Sequence, residues 1–316
     1  MNEHLMSSLF KMNKKISIII INYNTENYIA ELLHSISFQS MTVNEFEIII
    51  VNNSAPSSEL YKHINLFDFN IFVIDAEYNL GFGAGCNLGA ASANGEYLLF
   101  LNPDIQLREF DFLNHMYRFA SEAAGIGVFS SKVIETRENG HKLQIGPYYS
   151  YAYNWKPTGL PGEIASVIGA VMLIKKDIFV HVDGFDEDFF LYEEDVDICY
   201  RIRKIGYKIE VLQDLTVEHV GGVSEKGTKI YEYKMKKMRG IYLFCLKHFP
   251  PSLFQELLKK DIRLSHWKKM KLWCEINIFQ LKYKKDKYVS WCALFDAAKK
   301  TKYSTEWLFN RCVNRT

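Results

Sequence analysis

Four short apolar runs punctuate the first third of the chain: ISIIII at 16–21, FEIIIV at 46–51, IFVI at 71–74 and YLLFL at 97–101. They are rich in β-branched residues and nearly continuous rather than alternating, which is the pattern of strands buried on both faces. Between them the helical period predicts helices from Glu26 to about Phe38, from Ser57 to about Asn65 and from Phe82 to about Asn94, the last stopped by Gly95. Strand and helix alternating at this spacing predict an α/β fold, a parallel sheet with helices on both sides. Such sheets bind their ligands at the carboxyl ends of the strands.

From about Val128 to Ile168 the periodicity fades, and an irregular excursion over the sheet edge is expected there. Its stretch GPYYSYAYNW, 146–155, is dense in aromatics that would form a lid, a sugar-stacking surface or a small core of their own. A strand is expected at Ala170 to Ile174 and another from Ile209 to Leu212. Beyond about Lys229 the pattern is helical, broken at Pro250-Pro251, and predicts two or more amphipathic helices carrying Trp267, Trp273, Tyr283, Tyr288 and Trp291.

The 316 residues, 48% apolar and 24% charged, are those of a globular chain able to bury a large core. The net charge of +1 hides a division. Residues 1 to 222 carry 16 Lys+Arg against 29 Asp+Glu, whereas residues 223 to 316 carry 22 against 8. A cationic, aromatic-rich tail suits an anionic membrane surface or a nucleic acid, and charge alone does not choose between them. The six cysteines form no C-x-x-C pair and no zinc-finger spacing, so reduced thiols in a cytosolic protein are expected. The run Ile16–Ile21, behind Lys11, Lys14 and Lys15, is too short for a signal-peptide core or a membrane span.

Polar residues collect where the predicted strands end: Asn22-Tyr23-Asn24, Asn52-Asn53-Ser54, Asn79-Leu80-Gly81-Phe82-Gly83 and Asn102-Pro103-Asp104. Singly, such residues serve turns; four loops at one edge imply one site. Gly81 to Gly85 looks like a dinucleotide-binding loop, but Cys86 stands where G-x-G-x-x-G needs glycine, and the loop follows the third strand. A nicotinamide oxidoreductase is therefore the weaker reading, and no P-loop is present. Asp104 would hold Mg²⁺ or Mn²⁺ through a carboxylate oxygen while a diphosphate supplies other ligands, or it would only complete a turn. His219, in VEHVGG, would add a nitrogen ligand or be a loop residue.

The densest acidic segment is FLYEEDVDICYRIRKIGY, Phe190 to Tyr207, with Glu193, Glu194, Asp195 and Asp197 in five positions before Arg201 and Arg203. Carboxylates at a helix start behind aromatics would serve as a general base. They would equally complement the helix dipole, with Asp197 and Arg201 as an i,i+4 pair.

Taken in order, ISIIIINYN, IIIVNNS, EYNLGFGAGCNLGA, YLLFLNPD, GAVMLIKK, VDGFDEDFFLYEEDVDICYRIRKIGY and VEHVGG resemble a family 2 glycosyltransferase of the bacterial rhamnosyltransferase-like group, over roughly residues 15 to 240. The resemblance implies a GT-A fold: a mostly parallel nucleotide-binding sheet flanked by helices, from 15 to 228, with a nucleotide-sugar half to about 127 and an acceptor half from about 128. A flexible segment at 1–14 and a basic helical extension at 229–316 complete the expected organisation. It further implies a nucleoside-diphosphate sugar, a divalent metal (Mg²⁺ or Mn²⁺) and transfer with inversion.

Position by position, the resemblance places Asn22, Tyr23, Asn24, Asn52, Asn53, Ser54, Asn79, Gly81, Phe82, Gly83, Asn87, Asn102 and Asp104 at the nucleotide sugar. Asn52 stands where aspartate is usual, and Asn102-Pro103-Asp104 stands in for Asp-x-Asp without its first acid. Metal ligation then falls to Asp104, the diphosphate and His219. Glu194-Asp195 matches the acidic pair near the acceptor, with Asp195 the expected base; Gly169, Tyr192 and Glu193 are assigned to the donor and acceptor pocket. Glu193 and Asp197 are also expected to serve the helix.

The expected function is transfer of a sugar, with rhamnose the candidate, from a dTDP or UDP donor to a glycan or lipid-linked acceptor of a surface polysaccharide. The expected place is the cytoplasm, including the inner face of the membrane, where the basic helices would either make peripheral contact or only cap the catalytic domain; no nucleic acid partner is expected. A nucleotidyltransferase releasing pyrophosphate and a non-catalytic glycan or nucleic-acid binding protein are the alternatives.

Overall fold

A computed structural model of the chain describes residues 14–56, 58–136, 140, 142–221, 223 and 227–309. The expected flexible segment at 1–14 lies outside these residues but for Lys14, and so does Cys312. The chain divides into two compact units, one within Met1–Phe185 and Asp195–Ser224, the other within Asp186–Glu194 and Glu225–Thr316.

The first unit begins as the apolar runs dictate. β1 (Ile16–Asn22), α1 (Glu26–Ser37), β2 (Phe46–Asn52), α2 (Ser58–Ile64), β3 (Ile71–Asp75), α3 (Phe82–Ser92) and β4 (Tyr97–Leu101) alternate, and the four strands pair in parallel. β1, β2 and β4 are buried along their whole length. Side chains of a strand alternate between faces, so Ile18 and Ile20 join a core with α1 and α4 (Phe112–Glu122), while Ile19 and Ile21 join a second core with α3.

The rest of the sheet is mixed, within the mostly parallel sheet that the resemblance implies. β5 (Ile105–Leu107), β6 (Ile126–Thr136), β7 (Lys142–Ile145), β8 (Val171–Lys175) and β9 (Lys208–His219) complete an order β3-β2-β1-β4-β8-β6-β9-β5, with β7 against β6. β4 and β8 are antiparallel, as are β8 and β6, whereas β6 and β9 run parallel. The stretch expected to be irregular from Val128 therefore starts inside an eleven-residue strand. Ser130 and Ser131 concealed it: both are buried, and the Ser130 hydroxyl donates to the Val171 carbonyl at 2.8 Å. The irregular part follows β7, and its aromatics divide. Tyr151 is buried with Trp155 and Tyr200, and its hydroxyl accepts from the Arg203 guanidinium at 2.8 Å, while Tyr148 and Tyr149 are exposed.

Gly95 also differs. The helix before it ends at Ala93 in an extended conformation, and Gly95 serves instead the entry to β4. A Cβ there would lie 2.4 Å from the Ser17 nitrogen and 2.7 Å from the Ile16 carbonyl carbon, both main-chain atoms. The Gly95 N–H donates to the Ser17 hydroxyl at 2.8 Å, and that hydroxyl donates to the buried Glu47 carboxylate at 2.6 Å.

α5 (Lys176–His181) and α6 (Glu194–Lys204) follow β8. The second unit is built of α7 (Ile230–His248), α8 (Pro251–Asn277) and α9 (Lys285–Tyr303). Pro251 occupies the first turn of α8, where its missing N–H costs nothing, and Pro250 ends the preceding helix. The Tyr242 hydroxyl donates to the buried Asp261 carboxylate at 2.8 Å, joining α7 to α8. Lys247 of α7 holds both Asp186 and Asp188, at 2.5 and 2.7 Å, and so ties the segment before α6 to this unit.

Gly95→Ala is expected to lower stability by about 3 kcal/mol, because the backbone it would strike cannot yield as a side chain can. Urea unfolding should show the midpoint falling with an unchanged slope.

Candidate active site

Topology gathers the polar loops. β1 to β4 are parallel, and β6 and β9 run in the same direction, so Asn22, Asn52, Asp75, Asn102 and His219 all stand at the carboxyl edge. β8 runs the other way: Leu101 pairs with Val171, and the Asn102 N–H donates to the Ala170 carbonyl at 3.0 Å. Gly169 therefore enters the same edge.

At the ends of β1 and β2 an amide network is almost closed upon itself. Asn22 Oδ1 accepts from the Thr25 N–H at 3.1 Å and its hydroxyl at 2.9 Å; Nδ2 donates to Asn52 Oδ1 at 2.9 Å and Glu26 Oε1 at 3.2 Å. All four hydrogen-bonding positions of that amide are filled. Asn52 donates in turn to Asp75 Oδ1 at 2.7 Å, and Tyr61 donates to Asp75 Oδ2 at 2.8 Å, so an exposed carboxylate is fixed at the end of β3. Asp75 was missed in the sequence, where its one signal is an acid directly after the apolar run IFVI. The Asn24 N–H donates to Ser54 Oγ at 2.7 Å, with Asn24 in the left-handed region, and Tyr23 is half-buried.

Asn53 links this network to the next loop by donating to the Gly81 carbonyl at 2.8 Å, and its Oδ1 is buried without a hydrogen-bond partner among the described residues. Asn79 Oδ1 accepts from the Gly81 N–H at 2.9 Å. Gly81, at φ 84° and ψ −174°, takes a conformation open in practice to glycine alone, and α3 then begins at Phe82 with no side-chain cap. A helix start without a side-chain cap is suited to meet an anion with its first N–H groups. The later glycines have another purpose. A Cβ on Gly89 would lie 2.7 Å from Ile19, and one on Gly85 3.2 Å from Asn53, so they bring α3 close to the sheet. Gly83 is buried in the same helix.

Asn87 faces elsewhere: its amide donates to the Phe185 carbonyl at 2.8 Å and accepts from the Phe185 N–H at 2.9 Å. That double bond to the main chain fixes the turn before the acidic segment.

The acidic residues are not equivalent. Asp195 Oδ2 accepts from the Gly169 N–H at 2.8 Å and Oδ1 from the Val196 N–H at 2.8 Å. A Cβ on Gly169 would lie 3.2 Å from Asp195 Cβ and 3.5 Å from the Phe82 ring, so Phe82, Gly169 and Asp195 converge. Asp197 is fully buried and pairs with Arg201 at 2.6 Å, as an i,i+4 structural pair should. Tyr192, Glu193 and Glu194 belong to the second unit. Tyr192 and Glu193 are consecutive left-handed residues, φ 71° and 72°, and Glu193 thus lies before the helix that starts at buried Glu194. A Cβ on Gly240 would lie 2.4 Å from the Tyr192 carbonyl oxygen. Burial pushes the Cys199 thiol, one turn beyond Asp195, up to about 12, so it stays protonated and does not compete as a nucleophile.

Asp104 and His219 meet because β5 and β9 are antiparallel with Ile105 opposite His219. His219 Nε2 lies 3.4 Å from Asp104 Oδ1 and 3.4 Å from Asn102 Nδ2, both side chains are buried, and Asp104 Oδ2 accepts from the Gly221 N–H at 2.9 Å. Asn102 asks Nε2 for a lone pair and Asp104 asks it for a proton. A cation facing both Nε2 and Oδ1 would satisfy the pair with one tautomer. Nδ1 of His219 is buried with no hydrogen-bond partner among the described residues. No group of three or more His, Cys, Asp or Glu that could hold a metal converges among the described residues, so a metal at Asp104 and His219 would need its other ligands from elsewhere, as a diphosphate could supply.

Residues 17–180 match the model described as Glycosyl transferase family 2, and residues 151–225 match one described as N-terminal domain of galactosyltransferase. The chain is 26% identical over 217 residues to the rhamnosyltransferase WbbL of Escherichia coli, covering 61% of this chain and 78% of that one. It is 28% identical over 218 residues to the low-salt glycan biosynthesis hexosyltransferase Agl10 of Haloferax volcanii, covering 65% and 66%. Among solved structures it is similar to Staphylococcus aureus TarS 1–349 in complex with UDP-GlcNAc, at TM-score 0.56 and 22% identity over 90% of this chain and 81% of that one. It is likewise similar to the mannosyltransferase PcManGT of Pyrobaculum calidifontis in complex with GDP-Man and Mn²⁺, at TM-score 0.57 and 13% identity over 93% and 88%. The fold is of the GT-A type, and the chain belongs to glycosyl transferase family 2: it is a glycosyltransferase.

Proposed function

We propose that this glycosyltransferase transfers a sugar, with inversion, from a dTDP- or UDP-linked donor to a glycan or lipid-linked acceptor in the synthesis of a bacterial surface polysaccharide. Rhamnose is the candidate sugar, supported by the likeness to a rhamnosyltransferase. An acceptor carried on lipid would bring the enzyme to the membrane surface. The observation that carries the reading is the Asp195 carboxylate, held by the Gly169 N–H beside Phe82 at the edge where the strand-end loops gather.

The acceptor hydroxyl attacks the anomeric carbon, the bond from that carbon to the diphosphate breaks on the opposite face, and Asp195 takes the hydroxyl proton. A carboxylate oxygen accepts more than one hydrogen bond, so the N–H on each oxygen orients the group while leaving it basic. Glu194, next in the chain, is assigned as an acceptor contact, and Tyr192 and Glu193, whose backbone is left-handed at both positions, are the further candidates for donor and acceptor contact. Asn52, Asn53, Ser54, Asn24 and Tyr23 face the nucleotide, with Asn79, Gly81 and the start of α3 turned toward the diphosphate. Asn22 and Asn87 position these loops, their amides being occupied by protein groups. Asp104 and His219 would hold a Mg²⁺ or Mn²⁺ ion, whose chemistry is to neutralise charge on the departing diphosphate.

Replacing Asp195 with Asn is expected to cut transfer by about a thousandfold or more. Nucleotide binding, followed by calorimetry, should stay at the native level; substantial residual transfer would remove Asp195 from this role. Asp104→Ala should weaken diphosphate binding by at least about tenfold and abolish its dependence on Mn²⁺. A thermal-shift comparison of UDP, dTDP and GDP, each with and without Mn²⁺, reads base and metal together, and stabilisation by GDP alone would overturn the donor assignment.

A further inference from the structure

α8 has one face committed to the interior of its unit. Phe254, Leu258, Asp261, Ser265 and Leu272 are buried, at spacings of three, four and seven residues. The same period places Arg263, Trp267 and Met270 on the opposite side. Trp267 and Met270 are each more than half exposed, Trp273 is half exposed, and the turn that follows adds Ile278, Phe279 and Tyr283, at 62%, 66% and 78%. Six large apolar or aromatic side chains turned to solvent in seventeen consecutive residues exceed the scattered exposure of ordinary surfaces.

Cations border the same stretch. Residues 259 to 287 contain ten Lys and Arg against three Asp and Glu, a net +7. Lys268 and Lys271 lie over the Trp267 ring, at 5.0 and 5.6 Å, and Lys284 over Tyr283 at 5.7 Å. Long side chains bent along exposed indole and phenol rings put apolar stems and charged heads at one level, as a boundary between hydrocarbon and water requires. No helix among the described residues is long and apolar enough to cross a membrane.

We propose that this side of α8 and the turn after it form a surface for an anionic lipid bilayer, on which the helix lies in the plane of the headgroups. Trp267, Met270, Trp273, Ile278 and Phe279 enter the interface while the flanking lysines meet anionic headgroups. Two other partners fit less well. A single-stranded nucleic acid needs a row of aromatic faces for stacking, and Met270 and Ile278 offer none. A second copy on a two-fold axis would set +7 against +7 with no buried counter-charge. The assignment of function to the surface, bringing the enzyme to a lipid-borne acceptor, rests on the reading above; the binding itself does not.

Flotation of the full chain with phosphatidylcholine vesicles, with and without phosphatidylglycerol, tests it. The chain should float with the anionic vesicles, little with the neutral ones, and less at high salt. Trp267→Ser, Met270→Ser and Phe279→Ser together should reduce the anionic partition by at least about tenfold, with the melting temperature and nucleotide binding unchanged because all three side chains face solvent. Unchanged flotation of this variant would overturn the proposal. So would equal flotation on neutral vesicles, or binding of an oligonucleotide in place of vesicles. Light scattering that shows a dimer dispersed by the three changes, without flotation, would give the surface to a second copy. Transfer to a soluble acceptor, measured on the same samples, separates the two ideas: flotation without transfer defeats the function and leaves the surface, and transfer without flotation does the reverse.

Discussion

Strands buried on both faces can carry polar side chains only where they end, and the rest of the catalytic unit follows from that limit. β1, β2 and β4 admit no solvent along their length. An amide, carboxylate or imidazole is tolerated only at the ends of the apolar run, as Glu47 is at the start of β2, and there it must be hydrogen-bonded because it is still covered. Asn22 shows the outcome: it is fully buried at a strand end and every position of its amide is engaged. The same limit that makes the sheet stable collects the polar groups at one edge and holds them there.

That edge was legible because its causes are local. Four uninterrupted apolar runs announce four inner strands, and the residues after them announce the loops. YLLFL became β4 without adjustment, and Asp197 with Arg201 formed the pair its spacing requires. What escaped depends on partners distant in sequence. β6 was hidden because Ser130 and Ser131 interrupt its apolar pattern, and only the Val171 carbonyl across the sheet makes a serine acceptable there. Gly95 reads as a helix stop, yet its lack of a side chain answers to the backbone of β1, seventy-eight residues earlier in its bond to Ser17. Asn87 sits in a glycine-rich helix whose sequence suggests a ligand, while its amide bonds to the main chain of Phe185. Asp104 and His219 were paired in the sequence only through the family resemblance; the contact itself comes from the antiparallel pairing of β5 with β9, which no local pattern signals.

The replacement of the usual aspartate by Asn52 is not a simple loss of charge. An aspartate at 52 would face Asp75 across one strand register, and two carboxylates at hydrogen-bond distance cannot both be ionised cheaply. Asn52 instead donates to Asp75 and accepts from Asn22. The negative charge is moved by one strand and pinned by Tyr61, whose own hydroxyl is made less acidic chiefly by that bond.

The division of charge along the chain has a comparable logic. Residues 1 to 222 carry 29 acids against 16 cations, so this part of the chain repels both an anionic donor and an anionic surface at distances within the screening length of about 10 Å. On the proposed function, donor binding would have to be won locally, from helix N–H groups at α3 and a cation held by Asp104 and His219, rather than from a broad positive field. Attraction to a surface has to come from other residues, and 223 to 316 hold 22 of the 38 cations together with the exposed tryptophans. If the proposed roles hold, separating the two tasks leaves the acidic stretch around Asp195 to the base and the acceptor, and the lysines that a membrane surface would attract to the later helices.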